Sequence, residues 1–216
     1  KKIIGISKKK KLNLDLIFKK KGIELISHKF LKEKQILEIK YYNRKYLIEL
    51  NLIGKIQIKN ILMAILAANK SGLKFEKIIN VIHKLKSVEG RLEKIGKIKN
   101  NSKVILDYAH TPEALKLALL NLKEQFPMSK ISLVFGCGGN RDFKKRSIMG
   151  KIAEKYSDKI YLTDDNPRYE NATKIRKDIK KGINKSKILE ISNRKKAIHE
   201  AIMNLNTGNL LLVAGK

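Results

Sequence analysis

From about residue 102 onward, short apolar runs alternate with stretches whose apolar residues return every three or four positions, and this alternation restricts the fold more than any other feature. The runs at 104–106, 131–135, 160–162, 188–191 and 210–213 are too short for helices and read as buried strands. Between them, Leu115, Ala118, Leu119 and Leu122 share one helical face. Ile148, Met149, Ile152, Ala153 and Tyr156 share another, and Ala197, Ile198, Ala201, Ile202 and Leu205 a third. Strands alternating with amphipathic helices predict an α/β region of βα units around a parallel sheet.

The earlier part of the chain has a different rhythm. Leu12, Leu14 and Leu16, then Ile36 and Ile39, then Leu47, Ile48 and Leu50 mark short strands of a small sheet. Residues 60–70 are apolar on nearly every side, which predicts a buried helix with Asn60 at its entrance. Phe75, Ile78, Ile79, Ile82 and Leu85 follow at helical spacing. A polar stretch with Gly90, Gly96, Asn100 and Asn101 is the expected linker, so the division falls near residue 90, with 1–90 and 91–216 as the two parts.

A chain of 216 residues with 43% hydrophobic composition can bury a core. Its single cysteine, Cys137, allows no internal disulfide, fits a reducing compartment, and reads as a small buried filler rather than a nucleophile. No apolar stretch approaches the roughly 20 residues that span a bilayer, and no signal-peptide core is present, so a cytoplasmic protein without a membrane partner is expected. The formal charge of +29 raises nucleic-acid binding as an alternative. Its lysines are spread through every segment, as codon bias would place them. The denser runs at 8–11 and 19–21 read as solvated turns, and no zinc-finger spacing or recognition helix supports a specific nucleic-acid partner.

Three polar strings follow strand runs: DYAHTP at 107–112, GCGGNRD at 136–142 and TDDNPR at 163–168. In an open parallel sheet ligands gather at the carboxyl ends of the strands, so these strings predict one site rim. Thr111 and Pro112 suit a helix start, which leaves Asp107 and His110 to grip a ribose hydroxyl or a phosphate. Arg141 presents a planar guanidinium that can hold a carboxylate in two hydrogen bonds, and the glycines before it let backbone approach a ligand. Pro167 stiffens the turn in which Asp165 would receive an ammonium, Arg168 a carboxylate, and Asn166 either kind of group. The competing reading of this turn is an internal Asp165–Arg168 ion pair.

Together these strings resemble the Mur ligases, and within them the MurE-type branch that adds the third residue of the peptidoglycan stem peptide. The resemblance also rests on IGKIQIKN at 53–60, VEGR at 88–91, KKR at 144–146, and LLVAGK at the end. DYAHTP by itself would equally fit relatives such as folylpolyglutamate synthases. GCGGNRD with DNPR is the more specific combination.

The resemblance implies a Rossmann-like C-terminal domain, preceded by strands and two helices from the tail of a central ATPase domain. It further implies ATP-dependent, magnesium-assisted amide formation between UDP-N-acetylmuramoyl-L-alanyl-D-glutamate and meso-diaminopimelate, through an acyl phosphate, by a monomer. The amino-acid contacts would fall on Arg141, Asp165, Asn166, Pro167, Arg168 and Gly215, and the nucleotide contacts on Asn60, Arg91, Asp107 and His110. Asn140 stands where the family carries aspartate. No G-x-x-G-K-T phosphate loop is present, because the GK pairs beginning at 54, 96, 150 and 215 lack a following threonine or serine. The implied catalytic and magnesium-binding groups therefore lie outside these residues, and the chain alone is expected to be inactive. A sibling ligase that adds L-lysine is the enzyme-class alternative.

Overall fold

The computed structural model describes residues 6–9, 13–16, 22–98, 101–183 and 188–215, with only the backbone described at 6–9, 13–16 and 97. Leu12, Asn100, the run at 19–21 and the second half of the run at 8–11 lie outside these residues. The chain divides into two compact units, Lys1–Ser87 and Val88–Lys216.

In unit 1, β1 (Ile6–Lys9) and β2 (Asn13–Leu16) form an antiparallel hairpin, so Lys8 and Lys9 belong to a strand and not to the expected turn. A three-stranded antiparallel sheet follows, made of β3 (Ile23–Leu31), β4 (Lys34–Tyr41) and β5 (Arg44–Leu50). Alternation puts Leu37, Ile39 and Tyr41 of β4 on the buried face. That face meets α1 (Ile56–Lys70), α2 (Phe75–Val81) and a 3-10 turn at Ile82–Lys84. Tyr41 stacks on Phe75 with ring centroids 4.0 Å apart.

Helix α1 departs from expectation in two ways. It starts four residues before Asn60, which sits exposed inside the helix. Its burial is one-sided, on Ile58, Ile61, Leu62, Ile65 and Leu66, while Met63 is exposed. The start was hidden because Ile56, Gln57 and Ile58 alternate like a strand, and the Gly54 turn that ends β5's run commits them to helix instead.

Unit 2 is a six-stranded sheet in the order β10-β9-β8-β11-β7-β6. Its strands are β6 (Glu93–Lys97), β7 (Lys103–Asp107), β8 (Ile131–Phe135), β9 (Lys159–Leu162), β10 (Ile188–Glu190) and β11 (Leu210–Ala214). All but β6 run parallel. The helices α3 (Pro112–Gln125), α4 (Lys144–Tyr156), α5 (Ala172–Lys180) and α6 (Arg194–Met203) link successive parallel strands. The first three crossovers advance in one direction along the sheet and the last returns to insert β11 between β8 and β7. Right-handed crossovers therefore place α3, α4 and α5 on one face and α6 on the other. Accordingly α3 packs on α4 and α4 on α5, while α6 lies on β8, β9 and β11. Ala197 and Ala201 of α6, with Leu205 just beyond its end, close over Val134, Tyr161, Leu211 and Val213.

The five strand runs appear where the apolar pattern put them, and Ile160, Tyr161 and Leu162 are each 1% exposed or less. Three readings change. The supposed linker contains β6, an antiparallel edge strand whose register shifts at Gly96. Helix α5 was not anticipated, since its buried positions are Ile175, Arg176 and Ile179 in an otherwise lysine-rich segment. Helix α4 buries Arg146, Met149, Gly150 and Ala153, whereas Ile148 is 47% exposed. An arginine takes the place that the apolar pattern assigned to an isoleucine.

Candidate functional site

Strands β9, β8, β11 and β7 are neighbours, and their carboxyl ends open on the same edge of the sheet. From that edge leave 163–171, 136–143, Gly215 and 108–111, so all three polar strings share one rim. The bend where the sheet order reverses, between β8 and β7 with β11 inserted, is the expected position for a ligand in this class of sheet.

The loops after β8 and β9 are fastened together. A Cβ on Gly139 would stand 1.9 Å from the Pro167 carbonyl oxygen, an approach open only to glycine. The Gly139 amide donates to the Asn166 carbonyl at 2.8 Å, and Nη1 of Arg168 donates to the Gly139 carbonyl at 2.7 Å. The Tyr169 amide donates to Oδ1 of Asn140 at 3.1 Å. Aspartate could accept that bond as well as asparagine does, so the substitution at 140 leaves this contact intact.

Within DNPR, Oδ1 of Asn166 accepts from the Arg168 amide at 3.1 Å, and the Asn166 amide donates to Oδ1 of Asp165 at 2.8 Å. Arg168 adopts a left-handed backbone with φ 50°. Asp165 and Arg168 form no ion pair: side chain to main chain bonds close the turn, and the Asp165 carboxylate interacts electrostatically with the buried Arg194 guanidinium. Arg141 is exposed and its guanidinium has no partner among the described residues. Gly215, at φ 75°, donates its amide to the Asp107 carbonyl at 3.0 Å, and Oδ2 of Asp165 lies 3.7 Å from where its Cβ would be. Asp165, Asn166, Pro167, Arg168 and Gly215 are thus gathered, with Arg141 on the loop bonded to them.

On the DYAHTP side, Thr111 caps α3 by accepting from the Ala114 amide at 3.2 Å, and Pro112 opens the helix. Asp107 is only 9% exposed, and its oxygens accept from the amides of Leu92 at 2.8 Å and Ala109 at 2.9 Å. Burial pushes its carboxyl above the ordinary value, and those two amides and Arg91 pull the other way. Asp107 organises the loop before it can touch a ligand. His110 is exposed, with Nδ1 2.8 Å from the Tyr108 carbonyl. A carbonyl only accepts, so Nδ1 donates a proton to it and Nε2 is the ring nitrogen left without a partner in the loop. The Arg91 guanidinium lies 5.7 Å from the centre of the Tyr108 ring. Asn60 belongs to unit 1.

Cys137 is buried 3.7 Å from Sδ of Met149, and burial pushes its thiol up to about 11, which fits the filler role. Among the described residues no group of three His, Cys, Asp or Glu is placed to hold a metal ion, so no step is assigned here to magnesium.

Three arginines behind the rim were not foreseen. Arg146 holds Glu170 through Nη2 at 2.8 and 2.9 Å and Asp178 through Nη1 at 3.2 Å. Arg176 pairs with Asp164 and, at 2.7 Å, with Glu190. Arg194 donates to the carbonyls of Ala214 and Gly215. A usable signal was present: only seven of the 49 basic residues are arginine, and six of those seven, all but Arg44, lie in unit 2. In a lysine-rich chain, arginine marks positions where several directed hydrogen bonds are needed.

Residues 90–216 match the family described as Mur ligase, glutamate ligase domain. The chain belongs to the Mur ligase family. It is 45% identical over 183 residues to the UDP-N-acetylmuramoyl-L-alanyl-D-glutamate--2,6-diaminopimelate ligase of Rickettsia conorii, a match covering 84% of this chain and 37% of that relative. A relative of the same name from Buchnera aphidicola is 42% identical over 166 residues, 76% of this chain and 33% of its own. The chain therefore spans a third to two fifths of the length of these curated Mur ligases. A solved structure of a UDP-N-acetylmuramoyl-L-alanyl-D-glutamate--2,6-diaminopimelate ligase superposes with a TM-score of 0.67 at 30% identity, over 89% of this chain and 39% of that one. The folylpolyglutamate synthase of Thermotoga maritima shares the fold, with a TM-score of 0.69 at 23% identity over 90% and 43% of the two chains.

Proposed function

We propose that this Mur ligase chain is the amino-acid-binding part, with the end of the central domain, of an enzyme that joins meso-diaminopimelate to UDP-N-acetylmuramoyl-L-alanyl-D-glutamate in peptidoglycan synthesis. The observation that carries the reading is the fastened pair of loops, GCGGN with DNPR, on a rim that keeps Arg141 unpartnered and Asp165 unbridged. In this reading the D-glutamyl carboxylate attacks the γ-phosphate of ATP, forming an acyl phosphate and releasing ADP. The diaminopimelate amine then attacks the acyl carbon, the C–O bond to phosphate breaks, and inorganic phosphate leaves as the amine loses its proton. Residues of this chain bind and orient the amine's parent molecule, and do not carry the phosphoryl transfer.

Asp165 receives an ammonium group, Arg141 and Arg168 receive carboxylate, and Asn166, Pro167 and Gly215 shape the pocket. His110 Nε2, Arg91, Asp107 and Asn60 are the nucleotide contacts. The expected setting is the cytoplasm, where ATP and the nucleotide sugar are found; no helix among the described residues is long and apolar enough to cross a membrane. The chain is expected to act as part of a monomer, with magnesium held by residues beyond those described, and to need no nucleic acid.

Calorimetry on a full-length ligase containing this chain, supplied with nucleotide substrates, tests the reading. Meso-diaminopimelate should bind and L-lysine should not. Arg168→Ala should weaken diaminopimelate by about 2–5 kcal/mol, the range for truncating one partner of a charge pair that the bound amino acid desolvates, and leave lysine little changed. Equal losses for both amino acids would assign Arg168 to the loop and not to the distal carboxylate. Binding of lysine in preference would move the protein to the sibling class.

A further inference from the structure

Among the contacts joining the two site loops, one is made by a carboxylate that is itself held in an ion pair. Glu170, two residues beyond DNPR, accepts from the Asn140 amide at 2.5 Å through Oε1 while both its oxygens are held by Arg146. Arg146 is 2% exposed and is anchored a second time by Asp178 of α5. The carboxylate is thus fixed from below by a guanidinium that cannot move without disturbing α4 and α5. It in turn fixes the main chain at Asn140. That residue has a left-handed backbone, φ 49°, which asparagine tolerates better than most residues other than glycine, and the next residue is Arg141. Arg141 has no side-chain anchor of its own, so the direction in which its guanidinium leaves the loop depends on the peptide before it.

Buried ion pairs seldom add stability over an apolar alternative, because desolvation opposes the Coulomb attraction. What such a pair supplies here is a fixed origin for a loop. We propose that Glu170 is a positioning residue for the amino-acid site: acting through Asn140, it sets Arg141 and so the preference for an amino acid with a distal carboxylate. This rests on the reading given under Proposed function. Glu170 touches no reacting atom; its influence on selectivity passes through the loop. A misplacement of about 1 Å at a binding group can cost about 100-fold in rate, so an anchor of the loop controls selectivity without touching the substrate.

The test is steady-state kinetics of Glu170→Gln in a full-length ligase containing this chain. Glutamine keeps the shape, removes the charge and leaves Arg146 poorly compensated. The KM for meso-diaminopimelate should rise about tenfold, the KM values for ATP and the nucleotide-sugar substrate should stay within about twofold, and discrimination against L-lysine should shrink. In an Arg141→Ala background the same substitution should produce no further rise, because its effect passes through Arg141. If Glu170→Gln does not fold, Glu170→Asp retains the charge, moves the anchor by one methylene, and should give an intermediate rise. Parallel increases in all three KM values, a lowered Tm with unchanged KM values, or full multiplicativity with Arg141→Ala would each overturn the proposal. An unsubstituted enzyme that ignores diaminopimelate would overturn the functional reading itself, which separates the two failures.

Discussion

Gln35 in unit 1 and Arg146 in unit 2 are both buried polar side chains that hold a loop beside a sheet, and they use different chemistry. Gln35, fully buried, donates from Nε2 to the carbonyls of Leu52 at 2.8 Å and Gly54 at 3.1 Å, fixing the entry to α1. The amide is neutral, so burying it sacrifices little once its bonds are made. Arg146 carries a full charge into a site 2% exposed and needs two carboxylates beside it. Unit 2 repeats this device with Arg176, which is 8% exposed. The difference teaches where precision is required. A connection that only links elements is held by an amide, whereas loops that carry recognition groups are held by ionic anchors with several directed bonds.

The strongest way to break that comparison is to remove each anchor. Arg146→Ala should destabilise unit 2 by about 3 kcal/mol, toward the low end of the 3–5 kcal/mol seen for broken buried pairs. The low end is expected because the stranded carboxylates, Glu170 and Asp178, keep 28% and 20% exposure and can be hydrated. Gln35→Ala, which strands two carbonyls, should cost unit 1 about 1–3 kcal/mol. Hydrogen exchange read separately over 22–87 and 88–215 would measure both. A larger loss in unit 1 would contradict the assignment of the ionic anchors to the more demanding task.

Acid sharpens the comparison with a smaller effect. Arg146 and the Asn140 amide hold Glu170 below its ordinary value of 4.5, Arg176 and Lys180 do the same for Glu190, and Lys181 and Arg146 hold Asp178 below 3.8. Carboxylates lowered in the folded state contribute stability that is present above their unfolded values and lost as pH falls through the folded ones. Asp107, whose carboxyl is raised by burial, contributes in the opposite sense, stabilising at low pH and losing that contribution as pH rises. With three groups against one, exchange protection in α4 and α5 should decline below about pH 4.5, the upper unfolded value. Arg146→Met should remove the part of that decline owed to Glu170 and lessen the part owed to Asp178, leaving that of Glu190 in place, and an unchanged acid profile in the variant would show that this anchor does not carry it.

The same contrast explains what could be read from the sequence. The parallel strands were legible because Ile131, Leu133, Ile160, Leu162, Leu210 and Leu212 are apolar and buried, and a strand's burial is written in its own residues. The site loops were legible because they start where those strands stop. Helix α5 and the inward face of α4 were not, since Arg176 and Arg146 fill core positions only in the presence of partners supplied from elsewhere. Glu170 and Asp178 are 24 and 32 residues from Arg146, beyond the range of any periodicity. Edge strand β6 escaped for another reason: it pairs along one side only, so its lysines and glycine are tolerated. At the site, DNPR pointed to the recognising groups but not to how Arg168 is spent, because its bond to the Gly139 carbonyl joins residues 29 apart.

The smallest expected effect concerns the exposed pairs of unit 1. Nζ of Lys34 lies 2.5 Å from Oε1 of Glu49, closer than either ion pair of Arg146, yet the two side chains are 48% and 41% exposed. If distance alone set the strength of an ion pair, this would be the stronger anchor. Water competes for both charges, salt screens them over about 10 Å at 0.1 M, and two long side chains lose rotamer freedom when they pair. Lys34→Met should therefore change stability by less than about 1 kcal/mol, and the change should fade in high salt. Denaturant unfolding at low and high ionic strength measures it. A salt-independent loss as large as that of Arg146→Ala would mean that burial does not separate the two kinds of pair, and the distinction between the units would have to rest on hydrogen-bond count alone.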